Sequence, residues 1–411
     1  MADIYQSGTC LLAHVDVPEC DFTLVVASVT AVRRKMKHEL DEMSKIGYRL
    51  SPTGFGEAPL LMLGLSDDAI LALWHFFHQL KHDLQSLVSL SNFYEVTDER
   101  DYVYALLALY QKATGISTLP PALTSDYTQE VSKVFLRACQ YAMSESQNLD
   151  MWNMPCMFSA DTKDQPSWAW QSRSRNLPAT NPLVAAARTE GALGHEFTAC
   201  GTSEALKSTI PKFSGEDGRV LSVQGVSPDT VHIATPPLLE KSDEALSTWL
   251  VQVIGLFLPF AQVRGTSMQS LGTTLVAAWQ STARKDGDSD GEDFVGLLST
   301  AERASGVPLV ARKRTHYDRA YYISLKLACV GRRFFITRGG FLGLGPGGLE
   351  VWDKVAMLAG GKWPFALRRC EGEEEEKYKL VGACYVHTVM DGKKADDYVE
   401  KGSSLKQFCV V

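Results

Sequence analysis

The sequence predicts an α+β fold, with a helical N-terminal part and a β-rich C-terminal unit. Three observations carry this expectation. In the first 150 residues, apolar side chains recur at steps of three and four, the period of one helix face. Beyond Arg332, short runs rich in β-branched and aromatic residues alternate with glycine- and proline-rich punctuation, the pattern of strands and turns. Between the two lies a stretch rich in Pro, Ser, Asn and Trp. The 411 residues suffice for two or three domains of roughly 150 residues each. The expected division is a helical region over 1–150, an irregular Trp/Pro-rich connecting segment over 151–215, and a mixed α/β region over 216–411 that ends in a small antiparallel β unit.

Four helices are expected in the first region. From Phe22 to Ile46, Val25, Val29, Val32, Met36, Leu40 and Met43 make one apolar stripe. A second helix runs from about Asp67 to Leu90. A third starts near Asp98, where Asp98 and Asp101 can serve the helix N-terminus, and continues through YVYALLALY. The fourth carries Val131, Val134, Phe135, Ala138, Cys139 and Ala142 on one side, with Asp126 in the cap region before it.

Residues 147–215 hold Trp152, Phe158, Trp168 and Trp170, too much aromatic surface for a free linker, so a loop strapped across the body is expected. Strands begin at Arg219–Ala234, with a turn near Pro228 and Asp229. Helices return between about Ser242 and Ala304, and RAYYISLKLACV reads as another. The β unit then runs from Arg332 to about Asp391 and places the acidic run Glu371–Glu376 at an exposed hairpin tip. No internal repeat interrupts this order.

Composition narrows the functional classes. A net charge of -7 argues against a general affinity for nucleic acid or an anionic membrane. The basic cluster Arg33, Arg34, Lys35 and Lys37 is diluted by Glu39, Asp41 and Glu42 and reads as a solvated helix face. Nine cysteines, an odd number with no C-x-x-C, indicate neither a disulfide scaffold nor a zinc knuckle. The N-terminus lacks the apolar core of a signal peptide. The longest apolar run, LVQVIGLFLPFAQV, is shorter than the 18 or so residues of a membrane span and contains Gly255 and Pro259. The ending QFCVV puts Cys409 third from the end, not at the fourth place that prenylation needs. A reducing, cytoplasmic setting is the expectation.

Gly343, Gly345 and Gly348 fall on G-x-G-x-x-G after a strand-like RRFFIT. A dinucleotide cradle needs a helix to begin at the third glycine. Here LEVWDKVAML follows, which reads as a strand, and Pro346 fixes a turn, so no cofactor is expected. His75, His78 and His82 share one helix face within about 60°. They lie opposite the apolar face, so a polar surface is expected and no metal. The acidic loop KDGDSDGED has the wrong spacing for calcium. Cys384 and His387, three apart in a strand, point to opposite faces and cannot pair as nucleophile and base without a bulge. Tyr385 and His387 share a face, with Asp391 in the turn beyond, and form the candidate catalytic set. Trp168 and Trp170, alternate residues of an extended segment, either cap the core or line a ligand groove.

Several stretches in series resemble the fungal heterokaryon-incompatibility (HET domain) family. MADIYQSGTCLLAHVD is similar to the family's Q-M-x-x-I-Y segment, and TDERDYVYALLALY to D-P-R-D-K-V-Y-A-L-L-G-L, with Glu99 where proline is usual. SDYTQEVSKVFLRACQYAM resembles the D-Y-S-x-x-V-x-x-V-Y helix, and QPSWAWQ resembles L-P-S-W-x-P-D-W. RRFFITRGGFLGLGPGG, DKVAMLAGGKWPFALRR and YKLVGACYVHTVMDG are similar to its terminal β region, where G-Y-x-G-L-G-P and Y-V-H-G-I-M-D-G recur. On this resemblance the glycines belong to a β region. The family's opening Y-x-A-L-S-Y-x-W-G strand and W-I-D-A-I-C-I-N-Q segment, TIR-like and bearing the suspected cell-death residue, have no counterpart here, nor does W-F-x-R-x-W-x-x-Q-E between Asp67 and Thr97.

Two readings follow. The resemblance implies a protein of fungal non-self recognition or regulation that lacks the effector catalytic half and contacts another protein. The alternative is a repurposed, cofactor-independent enzyme of the cyclase or isomerase type, acting on a small hydrophobic secondary metabolite. Tyr385, His387 and Asp391 would then carry catalysis, and Trp168 and Trp170 would bind the ligand. An enzyme predicts one enclosed pocket with a perturbed acid or base; a binding protein predicts exposed apolar surface.

Overall fold

The fold is that of a computed structural model describing residues 83–85, 88, 96–153, 165–169, 197–207, 211–240, 242–277, 321, 325–326, 328–372, 376–401 and 405–411. The stripe over Phe22–Ile46, the three histidines of the second helix, the acidic loop and Trp170 lie outside these residues. The chain divides into two compact units, Met1–Ala142 and Met143–Val411.

In the first unit, α1 (Asp101–Thr114) buries Val103, Leu106, Leu107 and Tyr110, the i, i+3, i+4, i+7 face its sequence specifies. Asp98 meets its start by accepting the Arg100 amide at 3.0 Å, and Gly115 ends it at φ 74°, where a left-handed residue closes the last turn. α2 (Val131–Ser146) buries Val134, Phe135, Ala138, Cys139 and Ala142 as expected. The Tyr110 and Tyr141 hydroxyls meet at 3.0 Å, tying α2 to α1.

The two N-terminal motifs of the resemblance hold each other. Arg100 clasps Asp98 through Nε at 2.8 Å and Nη2 at 2.7 Å, and also donates to the carbonyls of Tyr127 and Gln129. The Tyr104 hydroxyl donates to the Asp126 carbonyl at 3.0 Å. Asp126 does not cap α2 directly. Its carboxylate takes the Thr128 amide and hydroxyl and the Gln129 amide group, and these hydrogen bonds lower its pKa to about 2.

The second unit is built on β2 (Val220–Ala234), which runs 15 residues without the turn expected at Pro228. A register shift between Val226 and Asp229 absorbs the proline, which has no N–H to give a ladder, and a second shift follows between Val231 and Ile233. Its first half pairs with the short β1 (Lys212–Ser214), with β5 (Lys354–Leu358) and with β9 (Lys406–Val410). β5 continues to β6 (Phe365–Arg369), β6 to β7 (Lys377–Ala383), and β7 returns to β9 in parallel. The ring β2–β5–β6–β7–β9 therefore closes into a small barrel, which leaves no open edge within it.

Leu221, Val223, Tyr378, Leu380, Phe408 and Val410 are buried at alternate positions of their strands, one face each. The second half of β2 carries a second sheet, β3 (Arg332–Thr337), β4 (Leu342–Pro346) and β8 (Tyr385–Val386). The acidic run begins just past β6 and ends at the start of β7, in the hairpin connection where it was expected.

Among the described residues, three helices of eight or more residues join this unit. α3 (Asp243–Arg264) starts at Ser242, whose hydroxyl accepts the Ala245 amide at 3.2 Å, and ends at Gly265, φ 69°. It buries Leu246, Trp249, Leu250, Val253, Ile254 and Phe257. By length and hydropathy alone it could cross a membrane, but that face is packed and Pro259 sits inside it. α4 (Met268–Leu275) follows, and α5 (Lys393–Glu400), which the sequence did not announce, precedes β9. The segment 147–215 is held by hydrogen bonds at two of its described stretches. The Ser167 amide and hydroxyl reach the Val411 carbonyl, and Ser167 Oγ accepts the Leu380 amide at 2.8 Å. Asp396 of α5 accepts the amides of Thr202 and Ser203 at 2.9 Å.

Candidate functional site

Two of the three glycines of G-x-G-x-x-G, Gly343 and Gly345, are packing residues. A Cβ on Gly343 would stand 2.6 Å from Phe335 Cε1 and 2.7 Å from the Tyr385 carbonyl oxygen, and one on Gly345 would stand 2.7 Å from Leu349 Cδ2. Only glycine lets β3, β4 and β8 approach so closely. Beyond them the chain turns and enters β5, with no helix among the described residues there. Two carbonyls of the turn are engaged by arginines: Gly347 accepts from Arg333 Nε at 2.7 Å and Gly348 from Arg368 Nη2 at 2.6 Å. A phosphate cradle needs a helix N-terminus facing the anion.

Tyr385 and His387 stand beside this corner. Tyr385 is buried across from Leu344, its ring 6.4 Å from Phe197, which in turn contacts Trp363 at 5.0 Å. The His387 amide donates to the Leu342 carbonyl at 2.8 Å. The imidazole is largely buried, its Nδ1 has no hydrogen-bond partner, and burial lowers its pKa, so it is neutral at pH 7. Asp391 does not join it. Its carboxylate accepts the Lys393 amide at 3.2 Å and pairs with the Lys393 ammonium at 3.0 Å, at the start of α5. Trp168 is fully buried, with Nε1 donating to the Arg219 carbonyl at 2.9 Å and its ring 5.3 Å from Phe213. Tyr385 of β8, His387 in the turn just beyond it and Trp168 are thus held by different neighbours, and nothing described joins Trp168 to the β8 corner.

Two further features carry no mark along the chain. Arg332 is 5% exposed and donates to the Ala383 carbonyl at 3.3 Å. It lies in the electrostatic reach of the buried thiols of Cys329 and Cys384, and burial pulls its pKa down to about 10, still charged at neutral pH. Burial pushes the Cys384 thiol up to about 12, against the pull of Arg332. No pattern marks this group, because the partners are distant along the chain.

The second feature is a solvent-facing corner between β4 and β5. Val351 and Trp352, read as strand from their side chains, form a turn. They are 42% and 62% exposed, and Trp352 holds φ 78°, a left-handed conformation rare for so bulky a residue. Its amide donates to the Val231 carbonyl at 2.9 Å, and the Arg338 guanidinium carbon lies 4.0 Å from its ring centroid. Beneath it, Asp353, 2% exposed, accepts the Glu350 amide at 2.7 Å and both Nε and Nη2 of Arg368 at 2.9 Å. This buried fork fixes the corner.

Fold and corner define an α+β protein with a small closed barrel and an exposed aromatic turn. The particular kinship comes from comparison. Residues 261–403 match the Het-6 beta-barrel domain family. Over 144 residues the chain is 26% identical to heterokaryon incompatibility protein 6, OR allele, of Neurospora crassa, a match covering 35% of this chain and 21% of that protein. No solved structure matches. The chain is thus related to the fungal heterokaryon-incompatibility proteins, as its motifs implied. The matched range takes in β3 to β8 and α5, whereas β2 and β9, which close the ring, lie outside it.

Proposed function

We propose that this chain acts in fungal non-self recognition by contacting another protein, and that its residues serve recognition and not the killing step. The observation that carries the reading is the exposed apolar surface of the second unit: Leu258, Val263, Val351 and Trp352 are 48%, 83%, 42% and 62% exposed. Large apolar side chains in water cost free energy that burial against a partner would recover. The relative's printed name, heterokaryon incompatibility protein 6, supports the biological setting. Among the described residues, the free thiols of Cys200, Cys329, Cys384 and Cys409 support a reducing cytoplasm. The test is genetic. Fungal strains identical except for this chain are paired and scored for heterokaryon formation. A change in compatibility that disappears in the Trp352→Ala chain is expected; compatibility indifferent to presence of the chain would reject the role.

A second reading has its own support in His387. A neutral, largely buried imidazole with an unpartnered Nδ1 beside Tyr385 is equipped as a general base toward a small hydrophobic metabolite. His387→Ala should then abolish turnover of such a substrate without loss of stability.

A further inference from the structure

We propose that the turn joining β3 to β4 docks an acidic polypeptide segment of a partner protein, an inference that rests on the recognition role above and names the chemistry of its partner. Three cations surround this turn. Arg338 opens it and is exposed, its guanidinium against the Trp352 ring. Arg264, in the last turn of α3, reaches in from one side: its Cζ lies 3.7 Å from where a Cβ on Gly340 would stand. Lys394, in the first turn of α5, reaches in from another, its Nζ 5.8 Å from the Phe341 ring centroid. Residues 338 to 341 span at most about 11 Å, three Cα steps, so the cations face one patch.

None of the three has an ion-pair partner among the described residues. Four lysines elsewhere do: Lys326 pairs with Asp243, Lys354 with Glu376, Lys362 with Asp150 and Lys393 with Asp391. The carboxylate nearest the turn, Asp229, is already engaged by backbone, accepting the Gly339 amide at 2.6 Å and the Thr230 amide at 2.8 Å. On a chain of net charge -7, a local group of unpaired cations is complementary to a specific anion more than to polyanions at large.

The aromatic component sets the class of partner. Arg338 stacked on Trp352 keeps its N–H edge free for a carboxylate while its face is occupied. Trp352 is exposed, and Val263 beside Arg264 is 83% exposed. Trp and Arg together are the residues that most often dominate binding energy at interfaces. A segment bearing carboxylates and one apolar side chain would satisfy both components, and a phosphate-rich polymer would leave the apolar part in water. The left-handed Trp352 is consistent with this, because strain of that kind persists where the surroundings enforce it and gathers at functional positions.

The probe is a fluorescein-labelled peptide of alternating glutamates with a central leucine, titrated against the full chain. Saturable binding is expected that weakens at least tenfold in the Arg264→Glu/Arg338→Glu/Lys394→Glu chain and falls as salt rises from 50 to 300 mM. Trp352→Gly should also lose tenfold; this variant relieves the left-handed strain and so keeps the fold. Absence of peptide binding overturns the proposal, as does equal binding by the variants. Tighter binding to phosphatidylserine vesicles or to single-stranded RNA overturns it in favour of those anions. Strain pairing separates this inference from the role beneath it. If the charge-reversed chain still alters compatibility, the acidic docking site fails and recognition stands. If the unaltered chain has no effect on compatibility, recognition fails.

Discussion

Arg368→Met tests how the exposed corner is held. Asp353 is almost fully enclosed, and its oxygens receive three donors: the Glu350 amide at 2.7 Å and two Arg368 nitrogens at 2.9 Å. Arg368 is fixed further by Glu350 Oε1 at 3.2 Å and the Gly348 carbonyl, and the pairing with Asp353 holds its pKa above the ordinary value. Methionine keeps the volume but leaves a buried carboxylate with one donor. Breaking a buried pair from one side costs about 3–5 kcal/mol, and the one-third exposure of the Arg368 side chain, 34%, puts this case at the lower end, about 3 kcal/mol. That corresponds to a melting point lower by about 6–12 °C for a unit of this size. Asp353→Asn, which can still accept the Glu350 amide, should cost about 1–2 kcal/mol. Urea denaturation of both single variants and the double variant closes the cycle. The double should be less destabilised than the sum of the singles by at least about 1 kcal/mol, since neither charge is then stranded. Strict additivity would refute the claim that the two groups stabilise one another.

Three more outcomes follow from glycine packing and from the burial of His387. Gly343→Ala should destabilise by about 1–3 kcal/mol, because its methyl meets a buried ring and a backbone carbonyl. Gly348→Ala, whose nearest neighbour is Val381 Cγ1 at 3.9 Å, should stay within about 0.5 kcal/mol; chemical denaturation distinguishes this from a phosphate cradle, where the third glycine would matter most. For His387, burial lowers the folded pKa below the unfolded value of about 6.5. The unfolded chain therefore binds the proton first, and stability declines as pH falls below about 6.5 until the folded pKa is passed. Unfolding free energies of the parent chain and His387→Gln, measured across pH 5–8, should differ by this slope; parallel curves would mean the ring is not buried in solution.

The resemblance and the periodicity together made most of the fold legible. The α1 and α2 faces were readable because a helix repeats its environment every three to four residues, so local spacing carries tertiary burial. Glycines under a ring were readable as something other than a cradle because the helix a cradle requires was missing from LEVWDKVAML. Trp352 was misread as strand, since β propensity reports side-chain type and not the φ that Asp353 and Val231 impose on the turn. The proline of β2 was misread as a turn, since only cross-strand register distinguishes a bulge from a reversal.

Sequence by itself determined the class of this protein: an α+β chain, helical first and β-rich last, kin to fungal incompatibility proteins. These are properties of local order along the chain, and local order is what spacing encodes. Tertiary structure alone decided that β9, from the far C-terminus, closes a barrel against β2 and β7, and that Arg264, Arg338 and Lys394 gather at one turn. The physical reason is sequence separation: such groups interact through space once the backbone has folded, and no periodicity links residues on α3, β3 and α5 beforehand.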